Sequence, residues 1–123
     1  MTIAYWCVLV AALLPIFAVG LAKTQPGFDN NAPREWLGRL SGWRARAHAA
    51  HLNSFEAFPT FAAAVIIAHL AQAPQGRIDL LAAVWVGARV AYIALYITDK
   101  AALRSVAWTV AMGCVIALFV SGA

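Results

Sequence analysis

Long apolar runs separated by short polar ones set the pattern of this chain. The first run, about Ile3 to Ala22, carries no charge. It supplies roughly the 20 apolar positions that cross about 30 Å of hydrocarbon at about 1.5 Å per residue. Pro15 inside it predicts a kink or a carbonyl satisfied by a neighbouring helix. From Lys23 to Trp43 the composition turns to Gln-Pro-Gly, Asp-Asn-Asn and Ala-Pro-Arg-Glu, an ordered interfacial loop with a short helix starting near Pro33. Trp36 and Trp43 are expected at headgroup level. A second run spans about Arg44 to Ala73, but its apolar part, Phe55 to Leu70, is short. Its polar first turns must therefore project from the membrane or line an interior space. Pro74-Gln75-Gly76 is a tight turn, which makes the third run, about Ile78 to Ile97, an antiparallel neighbour. The fourth, about Leu103 to Val120, follows the short connection Thr98 to Ala102. These spans predict one all-α domain over 1–123, an integral membrane four-helix bundle without internal repeats.

Composition strengthens that reading. Hydrophobic residues make up 63% and charged residues 11% of the 123 positions, against roughly 25% charged in soluble domains. With no basic stretch ahead of the first run, it reads as a retained span rather than a cleaved signal peptide. The net charge of +4 does not point to nucleic acid, because the cations sit between apolar runs rather than among base-stacking aromatics. Lys23, Arg34, Arg39, Arg44 and Arg46 fall in the first connection and Lys100 and Arg104 in the third, against Arg77 alone in the second. The positive-inside rule then predicts cytoplasmic first and third loops with both termini outside. Cys7 and Cys114 sit singly in apolar runs and read as buried small hydrophobes.

The polar residues inside the runs carry the candidate chemistry. An ionised carboxylate such as Glu56 costs about 2.5 kcal/mol or more in hydrocarbon, so it calls for a cationic partner, a wet cavity or a use. Helical spacing places Arg46, Asn53, Glu56 and Thr60 on one stripe, and Trp85, Arg89, Tyr92 and Tyr96 on another. Counted from the turn near Gln75, Glu56 and Arg89 differ in depth by about 5 residues, or about 7 Å of rise. A direct or near Glu56–Arg89 ion pair is expected, either as a packing clamp or as part of a ligand site. Asn53, Tyr92, Tyr96, Arg104 and Ser105 fall in the same half of the bundle. They could hold a small anionic ligand through forked guanidinium donors and the start of the fourth helix. His48 and His51, at i and i+3, lack a third ligand or an HExxH spacing, so no metal is predicted. His69 reads as a packing or interfacial residue.

Ala-His-Leu-Asn-Ser-Phe-Glu-Ala-Phe-Pro-Thr-Phe, from Ala50 to Phe61, resembles the second-helix signature of the MAPEG family, the membrane-associated proteins in eicosanoid and glutathione metabolism. Arg89-Val-Ala-Tyr92 with Tyr96, and Arg104-Ser105-Val106, resemble the family's third and fourth helices. The resemblance implies a homotrimer that binds glutathione between subunits. It also implies transferase or peroxidase chemistry on lipophilic electrophiles in a detoxification role, in a bacterial inner membrane among membrane lipids. Asn53, Glu56, Tyr92, Tyr96 and Arg104 would match glutathione contacts, with Arg89 as the buried partner of Glu56. Arg104 and Ser105 would be the catalytic residues, stabilising the thiolate. The chain departs from the pattern at His48-Ala49, Leu52 and Tyr92, so fewer cations face the ligand. The alternative is a non-catalytic lipid-binding or assembly protein that keeps the same fold.

Overall fold

The computed structural model describes residues 1–123 and is all-helical. Its five helices are α1 (Ile3–Ala22), α2 (Pro33–Gly38), α3 (Gly42–Leu70), α4 (Gln75–Ile97) and α5 (Ala101–Val120). Helices α1, α4 and α5 are each long and apolar enough to cross a membrane. With that composition the chain is an integral membrane protein. At 29 residues α3 is the longest, but Arg44, Arg46, Asn53 and Glu56 dilute its apolar character.

Helix limits shift from the predicted ones for local reasons. α4 begins at Gln75 rather than Ile78, because Pro74, with φ −55°, occupies its N-cap position and a proline ring is preset for entry into a helix. α3 and α4 stop in the same way. Gln72 and Asp99 take left-handed backbone, φ 57° and 61°. The next residue in each case closes a bond to the residue five back, Ala73 N–H to the Ala68 carbonyl and Lys100 N–H to the Leu95 carbonyl, the hydrogen bond that defines a Schellman stop.

Helices α3 and α4 pack against each other, and each also packs against α1 and α5. Small buried residues, Ala4, Ala11, Ala64, Ala68, Ala82 and Ala111, bring the backbones close, as expected where apolar contact with lipid offers no advantage over close packing. Phe61 and Trp85 stack between α3 and α4 with ring centroids 3.8 Å apart and planes 6° from parallel. Pro15 and Pro59 lie inside continuous helices.

α2 folds back over one end of the bundle. Trp36 is 8% exposed and packs in a cluster with Ala22, Leu37 and Ala47; its ring meets Phe28 edge-on at 5.0 Å. The expectation that Trp36 anchors at headgroup level is therefore corrected: α2 turns its one large aromatic inward to cover the ends of α1 and α3. Trp43 stands in the first turn of α3, exposed, under the Arg44 guanidinium at 4.6 Å.

The opposite end, which holds both termini and the α3–α4 turn, is closed by a polar network. The His69 Nδ1–H donates to the Val65 carbonyl at 2.7 Å, so Nε2 accepts from the Thr2 hydroxyl at 3.0 Å. That hydroxyl's oxygen also accepts the Tyr5 N–H. The Tyr5 ring stacks on His69 at 4.1 Å. Asp79 accepts from the Ala4 N–H at 3.0 Å and from the Gln75 amide at 2.9 Å. Gly122 lies so close to the turn that a Cβ placed on it would clash with the Ala71 Cβ.

Candidate functional site

At the other end, α3, α4 and α5 converge on Arg89. Its side chain is 1% exposed, placed there by a helix that is apolar on either side of it. One Nη donates to Asn53 Oδ1 at 2.8 Å, and Asn53 Nδ2 donates in turn to Glu56 Oε2 at 3.4 Å. No direct Glu56–Arg89 salt bridge forms; the one salt bridge in the chain joins Arg39 to Glu35 at 3.5 Å on the surface. Of the direct or near pair expected, the near one is found, relayed through Asn53. Depth is not the cause, since Glu56 lies fourteen residues before Leu70 at the end of α3 and Arg89 fourteen after Gln75 at the start of α4. Direction is the cause. Three residues turn a helix by about 300°, so Glu56 points about 60° away from Asn53, onto the exposed side of α3.

Cations and aromatics alternate along the rest of the site. The Arg89 guanidinium lies 4.1 Å from the Tyr92 ring centroid, Tyr92 and Tyr96 meet edge-on at 5.7 Å, and the Arg104 guanidinium lies 4.2 Å from the Tyr96 ring. The 89/92/96 spacing on α4 makes this ladder possible, because those positions share one face. Each cation–aromatic contact stabilises by about 0.5 to 2 kcal/mol and leaves the guanidinium N–H groups free to donate sideways. The Arg89 Nε, shielded from solvent, has no hydrogen-bond partner within the chain.

Two adjoining cavities open on the α3/α5 face. One, about 230 Å³, is bounded by Asn53, Glu56, Thr60, Trp85, Arg89 and Trp108, with apolar walls from Met112 and Val115. The other, about 250 Å³ and more polar, is bounded by Asn53, Tyr92, Arg104, Ser105, Trp108 and Thr109. Asn53 and Trp108 form the wall they share. Asn53, Glu56 and Arg89 thus line the first cavity, and Asn53, Tyr92, Arg104 and Ser105 the second. Tyr96 lines neither and supports Arg104. The Thr109 hydroxyl is committed to the Ser105 carbonyl at 2.8 Å, which leaves Arg104 and Ser105, with Asn53 and Tyr92 opposite, to meet a ligand there. Trp108, Thr109 and Met112 were not among the sequence-predicted residues. The signal was available, since Arg104 and Trp108, and Ser105 and Thr109, are i, i+4 pairs, so that all four share one side of α5.

The histidines are used otherwise. The His51 Nδ1–H donates to the Pro15 carbonyl at 2.8 Å, pinning α3 to α1 at the proline. Its ring meets Phe55 edge-on and lies 5.9 Å from His48.

The model of the MAPEG family matches residues 3–123, essentially the whole chain. No curated protein and no solved structure matches it. The chain belongs to the MAPEG family.

Proposed function

We propose that this protein is a membrane-bound glutathione-dependent transferase or peroxidase acting on lipophilic electrophiles. In this reading its four long helices cross the bilayer as a bundle, and three copies assemble as a homotrimer. The observation that carries it is the polar cavity in which Arg104 and Ser105 face Asn53 and Tyr92 beside the buried Arg89. The donor set suits glutathione, whose two carboxylates and one ammonium group need cations and an anion in one site. Arg104 offers a forked donor to a carboxylate or thiolate. Glu56, exposed on the adjoining cavity, offers an acceptor to an ammonium group.

Arg104 and Ser105 are the catalytic residues of the proposal. A thiol near pKa 8.5 is mostly protonated at neutral pH, and an adjacent guanidinium or hydroxyl donor favours its thiolate. In the transferase reaction the thiolate sulfur would bond to the electrophilic carbon as the leaving group departs with its electron pair. Arg89, through Asn53, holds the shared wall in place rather than touching the sulfur. An apolar acceptor reaches the opening from the hydrocarbon between helices. The basic end faces the cytoplasm on the positive-inside rule, and a bacterial inner membrane is the setting the resemblance implies.

The test is direct. Purified protein in detergent should show a glutathione-dependent rise in melting temperature and conjugate a chloronitrobenzene-type electrophile. The reading is rejected if millimolar glutathione changes neither signal while the assembly is intact. The second reading, a non-catalytic lipid-binding or assembly protein, draws on the burial of Arg89, which suits a folding clamp as well as a site. It predicts that Arg104→Ala is silent in every glutathione assay.

A further inference from the structure

A different groove lies along α1 and α4. Leu14, Phe17 and Leu21 share one side of α1, and Val90, Ile93, Ala94 and Ile97 one side of α4; together they enclose about 220 Å³ with no polar side chain. Phe17 and Val90 are exposed along it, so the groove is open along its length. From Leu14 to Leu21 it extends about 10 Å along the helix axis.

Cations lie next to groove residues at one end: Lys23 follows Leu21 by two positions, Lys100 follows Ile97 by three, and Arg46 bonds the Ile97 carbonyl. Leu21 and Ile97 pack against the Ala22/Trp36/Leu37/Ala47 cluster beneath α2. Arg46, on α3, crosses to this point and donates its Nε–H to the Ile97 carbonyl at 3.0 Å. That one bond fixes the guanidinium beside the Ile97 carbonyl and leaves both Nη groups without a partner in the chain. Arg46 also has no carboxylate partner. Lys23, the C-cap of α1, holds its Nζ 4.7 Å above the ring of Phe28, another member of the same cluster. Lys100 stands exposed at the N-cap of α5, with Asp99 the acid beside it in sequence.

We propose that this groove is a binding site for an anionic phospholipid, with an acyl chain along α1 and α4 and the phosphate on the Nη groups of Arg46, supported by Lys23 and Lys100. Charge complementarity selects this occupant. A groove that is apolar throughout, with a guanidinium fixed beside the Ile97 carbonyl, matches a lipid tail joined to a phosphate, whose geometry a guanidinium fork fits. Each basic residue near the surface favours anionic lipid by about fivefold. The site is separate from the α3/α5 cavities, so it stands whether or not the protein uses glutathione.

The experiment is lipid titration of the detergent-purified protein with phosphatidylglycerol or phosphatidylcholine, read by native mass spectrometry and by thermal shift. Tighter binding of phosphatidylglycerol is expected, with the preference falling at high salt as screening shortens the reach of the charges. Arg46→Gln keeps an N–H for the Ile97 carbonyl and should cut phosphatidylglycerol binding about fivefold, while Arg46→Lys should restore much of it. Ala94→Trp, at an exposed position, should fill the groove and lower binding of both lipids. Equal binding of the two lipids by the wild type, or unchanged phosphatidylglycerol binding in Arg46→Gln, would overturn the proposal. So would efficient Ala94→Cys cross-linking between two copies, because the groove would then be a protein interface.

Discussion

The two ends of this bundle each hold a cluster of polar side chains, and they are built on opposite terms. At the end with the termini, Thr2, His69, Gln75 and Asp79 spend their hydrogen bonds on one another and on the Ala4 and Tyr5 N–H and Val65 carbonyl groups. At the basic end, Arg89 spends one Nη on Asn53 and leaves its Nε unpartnered, while Arg104 rests on Tyr96 and faces an open cavity beside Ser105. Polar groups inside an apolar protein are costly in both places. What separates a joint from a candidate site is whether the chain itself satisfies them. By that measure the first cluster joins α1, α3 and α4, and the second is left to bind something.

Substitutions at the two ends should therefore act differently. Arg89→Ala should have the largest effect, a loss of about 3 to 5 kcal/mol in stability by denaturation in detergent, because it removes a buried, hydrogen-bonded cation and leaves a void. A mild effect would mean that Arg89 is not the organising group of its end. Arg104→Ala should lower thiol affinity by about 10- to 100-fold, the value of about 1.5 to 3 kcal/mol for a hydrogen bond to a charged group, measured by calorimetric titration with glutathione. Its folding should be nearly unchanged, since Arg104 contributes only an aromatic contact within the chain.

Thr2→Ala should cost about 1 kcal/mol, the usual loss for an N-cap hydroxyl, and leave glutathione affinity unaltered. An effect on affinity would show that the closed end communicates with the open one. Glu56→Gln should cost under about 1 kcal/mol of stability, because the Glu56 carboxylate is exposed and held through a long 3.4 Å bond. A loss of several kcal/mol in that variant would restore the direct Glu56–Arg89 pair that the relay replaces.

Much of this architecture was legible in the residues. The apolar runs located α1 to its limits and the other long helices to within a few residues, because hydrocarbon thickness sets the length and charge marks the ends. The helical spacing of Arg89 and Tyr92 and the motif around Asn53 and Glu56 named residues that line two adjoining cavities, with Tyr96 outside both. Trp36 was misplaced, because an aromatic near charged loop residues has the same local pattern whether it faces headgroups or folds under a short helix. Trp108 was legible too, since it stands one helical turn after Arg104 on the same side of α5.

The order of residues is enough to establish a helical membrane protein of the MAPEG family, with cations gathered at one end and a carboxylate and an arginine within its spans. These follow from hydropathy, periodicity and motif, which are properties of neighbours along the chain. Packing in three dimensions set the rest: Asn53 stands between Glu56 and Arg89, His51 pins α3 to Pro15, and Arg46 reaches the Ile97 carbonyl beside an apolar groove. Those outcomes depend on which way each side chain points around its helix. A difference of about 60° in that direction, too fine to read from spacing alone, separates a buried ion pair from an exposed carboxylate.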